Sequence, residues 1–407
     1  MRPQRHYFNF PEKNFLSKLL FLFFLVGICI SCNQITGDEP ASKVYPEMIT
    51  PAGKKEMILK TDRPPNFETP LKYFLLDFTP NDVFFVRWHL AGLPSQVNED
   101  DFRLTISGYV KNQLSLSLKE LKTGFKPVEL NAVCACAGNS RSFLDPGVPG
   151  VQWKNGAMGN ARWKGVRLKD ILDKAGIKTG AFSVSFNGLD EPPLASVPDF
   201  VKSLDIAHAN DGEVLVAYEM NGDPLPLLNG YPLKLIVPGW YATYWVGMLS
   251  EIKIYPDTFK GYWMEKAYLV PKNIAYGNEQ PDSLAKKLNP ISKMDVRSLF
   301  ISPEEGSTIH AGQPCTVQGI AFDGGDGIEK VELSLDSGNT WNSCRLEPSL
   351  GKYSWRRWNY SFNPGEGSLH LQVKATNVKG ETQPKHQWNR SGYMRNEIET
   401  LNLEAVN

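Results

Sequence analysis

A chain of 407 residues, 42% hydrophobic and 22% charged, has ordinary globular composition and enough length for two or three domains, since one core rarely grows past about 250–300 residues. Its 44 basic and 44 acidic residues cancel, so no global field recruits nucleic acid or an anionic membrane, and only a local basic pocket remains open to anions. The 34 Gly and 29 Pro are spread along the chain, which suits a turn-rich fold and argues against disorder.

At the N-terminus, Arg2, Arg5, Lys13 and Lys18 precede an uninterrupted apolar run over residues 19–30. The run is shorter than the roughly 20 residues a membrane span needs and fits a secretory h-region. Ser31 before Cys32 resembles a bacterial lipoprotein processing site. Residues 1–32 are therefore expected to be a lipoprotein-type signal peptide, with lipidation at Cys32 and a periplasmic or envelope location. A generic signal peptide in which Cys32 is incidental is the alternative. Residues 33–61 are polar and Pro-containing and read as a tether, with ordered structure expected from about residue 62.

Residues 83–86 form a short apolar run followed by Arg87-Trp88-His89, the pattern of a buried strand that delivers polar side chains at its end. Residues 102–107 alternate as a strand does and stop at Gly108. Leu168, Ile171, Leu172 and Ala175 recur at helical spacing before Gly176, which predicts a helix over 167–176. Residues 214–218 read as a strand ending near the tight-turn pair Asn221-Gly222, and residues 233–237 as a buried strand closed by Pro238-Gly239. Strands and helices mix without a regular βαβ period, so an α+β core is expected over 62–270. Residues 271–294 are polar and read as a linker. Beyond them residues 331–335 and 369–373 alternate, and Asp336-Ser337-Gly338 is a hairpin signal. Several short strands over 295–407 predict an immunoglobulin-like sandwich.

Familiar catalytic patterns are missing: there is no GxGxxG loop, no Walker loop, no HExxH and no CxxCH. The six histidines include no pair at i, i+4, which argues against a histidine-rich metal site. What stands out is 131–167, NAVCACAGNSRSFLDPGVPGVQWKNGAMGNARWKGVR. Small residues around Cys136 let backbone amides approach a bulky ligand, and Arg141 five residues on could bind an oxyanion or lower a thiol pKa. The spacing of Cys134 and Cys136 alone is most often that of buried small residues or a redox pair, and is weak evidence for a metal ligand.

The segment resembles the cofactor signature of the sulfite oxidase family, here Cys136-Ala137-Gly138-Asn139-Ser140-Arg141 and Gly156-Ala157-Met158-Gly159-Asn160-Ala161-Arg162-Trp163. Phe85-Val86-Arg87-Trp88-His89, Gly188-Leu189-Asp190, AYEMNGDPLP at 217–226, Gly230-Tyr231-Pro232-Leu233-Lys234 and Val237-Pro238-Gly239-Trp240-Tyr241 follow in the family's order. The resemblance covers roughly residues 70–400 and extends to a C-terminal dimerisation sandwich.

This resemblance implies a molybdenum pyranopterin dithiolene (molybdopterin) with Cys136 as its one protein ligand; a soft thiolate suits that metal, and Cys134 would be structural. It implies that Arg87, Arg141 and Tyr268 face a small oxyanion such as sulfite, which would be oxidised to sulfate. Phe85, Val86, Arg87, His89, Asp190, Asn229, Lys234, Trp245, Val246 and Gly247 would hold the cofactor. Asn229 stands where animal members carry a histidine, Lys234 where they carry an arginine and Gly247 where they carry a lysine, which shifts expected phosphate anchoring toward backbone amides. No haem motif is present, so a separate acceptor is expected, a c-type cytochrome before oxygen. Other readings are a reductase of an S-oxide or nitrate, or a non-catalytic surface lipoprotein with a degenerate cofactor domain. The sandwich implies a homodimer. Cys315 and Cys344 could pair in an oxidising compartment, and the sequence does not place them.

Overall fold

The computed structural model describes residues 47–272 and 278–407. The signal peptide, Cys32 and the first part of the expected tether lie outside the described residues. Residues 47–61 are not tether-like: Met48–Ile49 and Met57–Thr61 are strands of a four-stranded antiparallel sheet completed by Asn66–Glu68 and Val86–Arg87. Order thus begins well before residue 62. The segment is fastened because Met57 is fully buried against Phe67, Val86, Trp88 and Met248.

The expected strand over 83–86 is reduced to Val86–Arg87. The physical reason is that side chains take its carbonyls. Thr69 Oγ1 donates to Val83 O at 2.8 Å, Lys54 Nζ to Phe84 O at 3.2 Å and Asn229 Nδ2 to Phe85 O at 2.9 Å. A run that reads as a strand is instead a loop whose backbone groups are satisfied by three distant residues.

Two five-stranded sheets carry most of the first unit. One runs Lys202–Asp205, Ser183–Asn187, Glu251–Tyr255, Leu104–Gly108, Leu114–Leu116, with Glu251–Tyr255 parallel to Leu104–Gly108. The other orders Asp223–Pro224, Leu215–Met220, Met158–Arg167 and Pro127–Ala135, with Lys234–Ile236 also on Leu215–Met220. Asn221 (φ 56°) and Gly222 (φ 90°) form the two-residue turn expected of that dipeptide. The predicted helix is found at Leu168–Ala175, its four apolar positions fully buried and its end capped by left-handed Gly176. A second helix, Leu118–Gly124, starts on a capping box between Ser117 and Glu120. Helices are short and strands dominate, so the balance is more β than the α+β expectation.

The expected linker over 271–294 contains a return. Leu269–Pro271 pairs antiparallel with Leu288–Pro290, and Ile291 N donates to Tyr268 O at 2.9 Å. Beyond it two sheets share one core. Arg297–Ser302, Cys315–Phe322, Arg356–Phe362 and Arg345–Leu346 form the first. Thr308–His310, Glu399–Val406, Gly367–Asn377, Ile328–Ser334 and Asn342–Ser343 form the second. Val317 and Trp358 from one meet Leu333, Val373 and Leu403 from the other. Strand Glu399–Val406 alternates buried and exposed along its length, as a sheet with one solvated face requires. Cys315 and Cys344 are free thiols in this structure.

Candidate active site

Strand Pro127–Ala135 pairs without interruption along Met158–Arg167 and ends at Ala135, so Cys136 is the first residue off the sheet. Three hydrogen bonds fix it. Cys136 N donates to Ala157 O (2.9 Å), Asn139 N donates to Cys136 O (3.0 Å), and Ala157 N donates to Asn139 Oδ1 (2.9 Å). The Cys-Ala-Gly-Asn run is thus a loop closed on Gly156-Ala157. A Cβ at Gly138 would lie 2.7 Å from the Arg141 guanidinium, so a side chain there would displace it. Cys136 faces an open cavity together with Phe85, Arg87, His89, Asp190, Asn229, Lys234, Trp245, Gly247 and Tyr268.

At one end of the cavity Arg87 Nη2 donates to Tyr268 Oη at 3.4 Å, while Nη1 donates to Asn66 Oδ1 at 3.3 Å and to Trp88 O. Tyr268 Oη also hydrogen-bonds His89 Nε2. The His89 ring stacks on Phe200 with centroids 3.7 Å apart. Burial, then the charges of Arg87 and Lys202, hold the His89 pKa well below its usual value. Burial pushes the Tyr268 phenol up. A neutral imidazole accepting from a neutral phenol follows, with Arg87 supplying the charge. Tyr268 has φ 58°, and a non-glycine residue held there costs on the order of 1–3 kcal/mol. Its neighbours over-determine it, since its ring also packs on Tyr393 and its carbonyl is bound by Ile291.

At the other end Asn229 is gripped from three sides. Its Nδ2 donates to Phe85 O, its Oδ1 accepts from Lys54 Nζ, and its carbonyl accepts from Lys234 Nζ at 3.2 Å. Burial lowers both lysines, Lys54 to about 7. Gly247 is explained by space: a Cβ there would sit 3.1 Å from both Gly230 Cα and the Trp88 ring. The Trp245 amide already donates to Ala242 O, so it is not available as a phosphate anchor. Asp190 is buried, with Oδ2 lacking any partner, and burial raises its pKa to about 7. Thr243 Oγ1, also on the wall, is likewise unpartnered.

Three expected site residues are elsewhere. Val86 packs into the Met57 cluster and Val246 spends its carbonyl on Leu235 N; neither lines the cavity. Arg141 is buried behind the wall, donating to Gly392 O (3.2 Å) and Val151 O (3.1 Å), with its guanidinium carbon 5.0 Å over the Tyr393 ring. Sequence reasoning missed Lys54, Lys202, Thr243 and Tyr393. Lys202 is fully buried, donates to Trp263 O at 2.7 Å and lies over the Tyr244 and Tyr268 rings. Isolated lysines carry no buried signature in the sequence. Cys134 also borders the cavity, but burial pushes its thiol up to about 12, consistent with an inert packing role.

Among the described residues no three His, Cys, Asp or Glu side chains converge as a metal site. Any metal here must bring most of its own ligands, which fits a dithiolene-bound ion taking one thiolate. The unpartnered buried Oδ2 of Asp190, on the cavity wall, fits a hydrogen-bonding heterocycle.

Residues 90–263 match the family model described as oxidoreductase molybdopterin binding domain, and residues 288–401 that of the Mo-co oxidoreductase dimerisation domain. The fold and site are those of a molybdopterin-binding oxidoreductase. Mitochondrial sulfite oxidase of Macaca fascicularis is 33% identical over 384 residues, 88% of this chain and 68% of that protein. Nitrate reductase [NAD(P)H] of Hordeum vulgare is 30% identical over 381 residues, 87% of this chain and 41% of that protein. The crystal structure of the sulfane dehydrogenase SoxCD from Paracoccus pantotrophus superposes with a TM-score of 0.74 at 24% identity, covering 90% and 92% of the two chains, and shares the fold. The chain belongs to the sulfite oxidase family.

Proposed function

We propose that this protein oxidises sulfite to sulfate at a molybdenum cofactor bound through Cys136. The observation that carries this is the Cys136 thiol sharing one cavity wall with the Arg87–Tyr268–His89 cluster. When bound, the cofactor supplies the two-electron redox and oxygen-transfer chemistry. Arg87 binds and orients the anion through charge-assisted hydrogen bonds. Tyr268, fixed by His89 and Arg87, presents a neutral phenol to a substrate oxygen. Asp190, Asn229 and Lys234 would hold the pterin and its phosphate, with Phe85 and Trp245 excluding water there, while Phe200 packs on His89 at the Arg87 end.

Electrons pass to a separate c-type cytochrome, the second unit is an immunoglobulin-like sandwich that pairs two copies, and the N-terminus delivers the protein to the envelope as a Cys32 lipoprotein. The test is sulfite-dependent reduction of an artificial acceptor by wild type and Cys136→Ser, with molybdenum determined on both. Equal turnover in both would remove Cys136 as the ligand. Nitrate reduction is a second reading, favoured by the single guanidinium on the cavity wall, which suits a monoanion. Nitrite formation from nitrate with a chemical reductant, and no sulfite turnover, would select it.

A further inference from the structure

Lys202 is fully buried at the start of the edge strand Lys202–Asp205, and no charged neighbour offsets that burial. Its Nζ donates to Trp263 O at 2.7 Å and stands 4.5 Å from the centre of the Tyr244 ring and 5.2 Å from that of the Tyr268 ring. Asp199 and Asp205, on either side of it in the chain, and Glu265, on the short helix that carries Trp263, are all exposed. A buried charge is ordinarily paired, because taking it out of water costs several kcal/mol. The same lack of a carboxylate runs through this end of the cavity. Arg87 spends donors on Asn66, Trp88 and Tyr268, and Arg141 on Val151 O, Gly392 O and the Tyr393 side chain, whose ring stacks on Tyr268. Lys234, on the wall at the other end, binds Asn229 O. The charges of Arg87, Arg141 and Lys202 thus gather around Tyr268.

We propose that Lys202 helps bind the oxyanion without touching it: its ammonium stands against the Tyr268 ring outside the cavity, and the bound anion is the counter-charge that the fold does not supply. This rests on the reading above that a small oxyanion binds beside Arg87 and Tyr268. Tyr268 lines the cavity and Lys202 does not, so the attraction is Coulombic and not a contact, and it acts through an aromatic ring where water screens little. At the separation a ring imposes, one unit charge at an effective dielectric constant of about 20 changes anion affinity by about tenfold or more. The two tyrosine faces and the Trp263 carbonyl hold the ammonium in place until the anion arrives. Lys202 also acts on the cluster itself, since its charge joins burial and Arg87 in keeping His89 neutral.

The experiment is calorimetric titration of sulfate, and of nitrate, into molybdenum-loaded wild type, Lys202→Met and Lys202→Gln from weakly acid to weakly alkaline pH, with KM and kcat for sulfite alongside. Both anions keep their charge over that range, and His89, Tyr244 and Tyr268, the titratable groups facing Lys202, stay neutral. Lys202→Met should weaken sulfate binding about tenfold at weakly acid pH and raise KM by a similar factor with kcat little changed. Burial lowers Lys202 to about 7, so the gap between wild type and Lys202→Met should narrow as pH rises above that value. Lys202→Gln keeps a donor for Trp263 O without the charge and should match Lys202→Met; it also serves if the methionine variant does not fold. Wild-type affinity in Lys202→Gln, unchanged affinity in both variants, or a deficit that persists undiminished at alkaline pH overturns the proposal. A wild type that binds neither anion overturns it too, whereas one that binds sulfate and oxidises no sulfite sinks the functional reading alone.

Discussion

Lys54 Nζ donates to the side-chain oxygen of Asn229, 175 positions along the chain, and also to Asn81 O at 2.7 Å and Phe84 O at 3.2 Å. One buried ammonium thereby ties the first strands to the loop that borders the cavity. Lys54→Met keeps the volume and leaves these acceptors without a donor, a loss of about 1–3 kcal/mol for each buried group left unpaired. We expect a fall of that order in urea-determined stability and reduced molybdenum per protein, because Asn229 loses its grip. Unchanged stability with full metal content would mean that the contact carries nothing.

Burial lowers both Lys54 and Lys202 from 10.5 to about 7. Between those values the unfolded chain binds protons that the folded chain does not, so stability rises with pH from about 7 toward 10.5. Lys202→Met should flatten that rise in unfolding experiments at a series of pH values. A slope identical to wild type would show that Lys202 stays protonated in the fold.

Asp190 acts in the opposite sense. Its carboxyl is raised from 3.8 to about 7 by burial. Over that range the folded apoprotein holds a proton that the unfolded chain has lost, and stability falls as pH rises. Asp190→Asn removes the titration, so the variant apoprotein should be more stable than wild type above pH 7 and level with it below pH 4, while retaining less pterin. A constant stability difference at all pH values would contradict this.

The local features of the fold were legible and the long-range ones were not. The Leu168–Ala175 helix, the Asn221-Gly222 turn and the alternation of the second unit are set within a few residues. The Cys136, Arg87, His89, Asp190 and Tyr268 positions were marked by motifs or by distance from them. The loop at 83–85 was misread because its carbonyls are claimed by Thr69, Lys54 and Asn229, none adjacent in sequence. Residues 47–61 look like a tether because their few apolar side chains carry no strong period. Arg141 was expected to face the substrate; its contacts in this structure run to Gly392 and Tyr393, some 250 residues away, which no motif around Cys136 announces.

The two units are joined by a buried ion triad that reaches the Cys136 loop. Arg297 Nη2 and Arg395 Nη1 (2.7 Å) both donate to Glu399 Oε1, and Arg297 Nη2 also donates to Ser140 Oγ at 2.6 Å, beside Arg141. Burial works against the Glu399 charge, yet Arg395 and Arg297 outweigh it and hold the pKa below the usual value. Glu399→Gln leaves the buried Arg297 guanidinium with no countercharge and Arg395 with Glu397 alone, at 3.7 Å, and breaking a buried pair this way costs about 3–5 kcal/mol. Because Ser140 is tethered through Arg297, the loss should spread to the cofactor site: denaturant unfolding should shift by that amount and metal retention should drop. The lowered carboxyl pKa also means that the wild type's triad stability is present above the unfolded carboxylate pKa and lost on acidification through the folded one. Glu399→Gln should therefore lose less stability between neutral and acid pH than wild type does. Equal acid sensitivity in both proteins would show that the triad does not hold the units together.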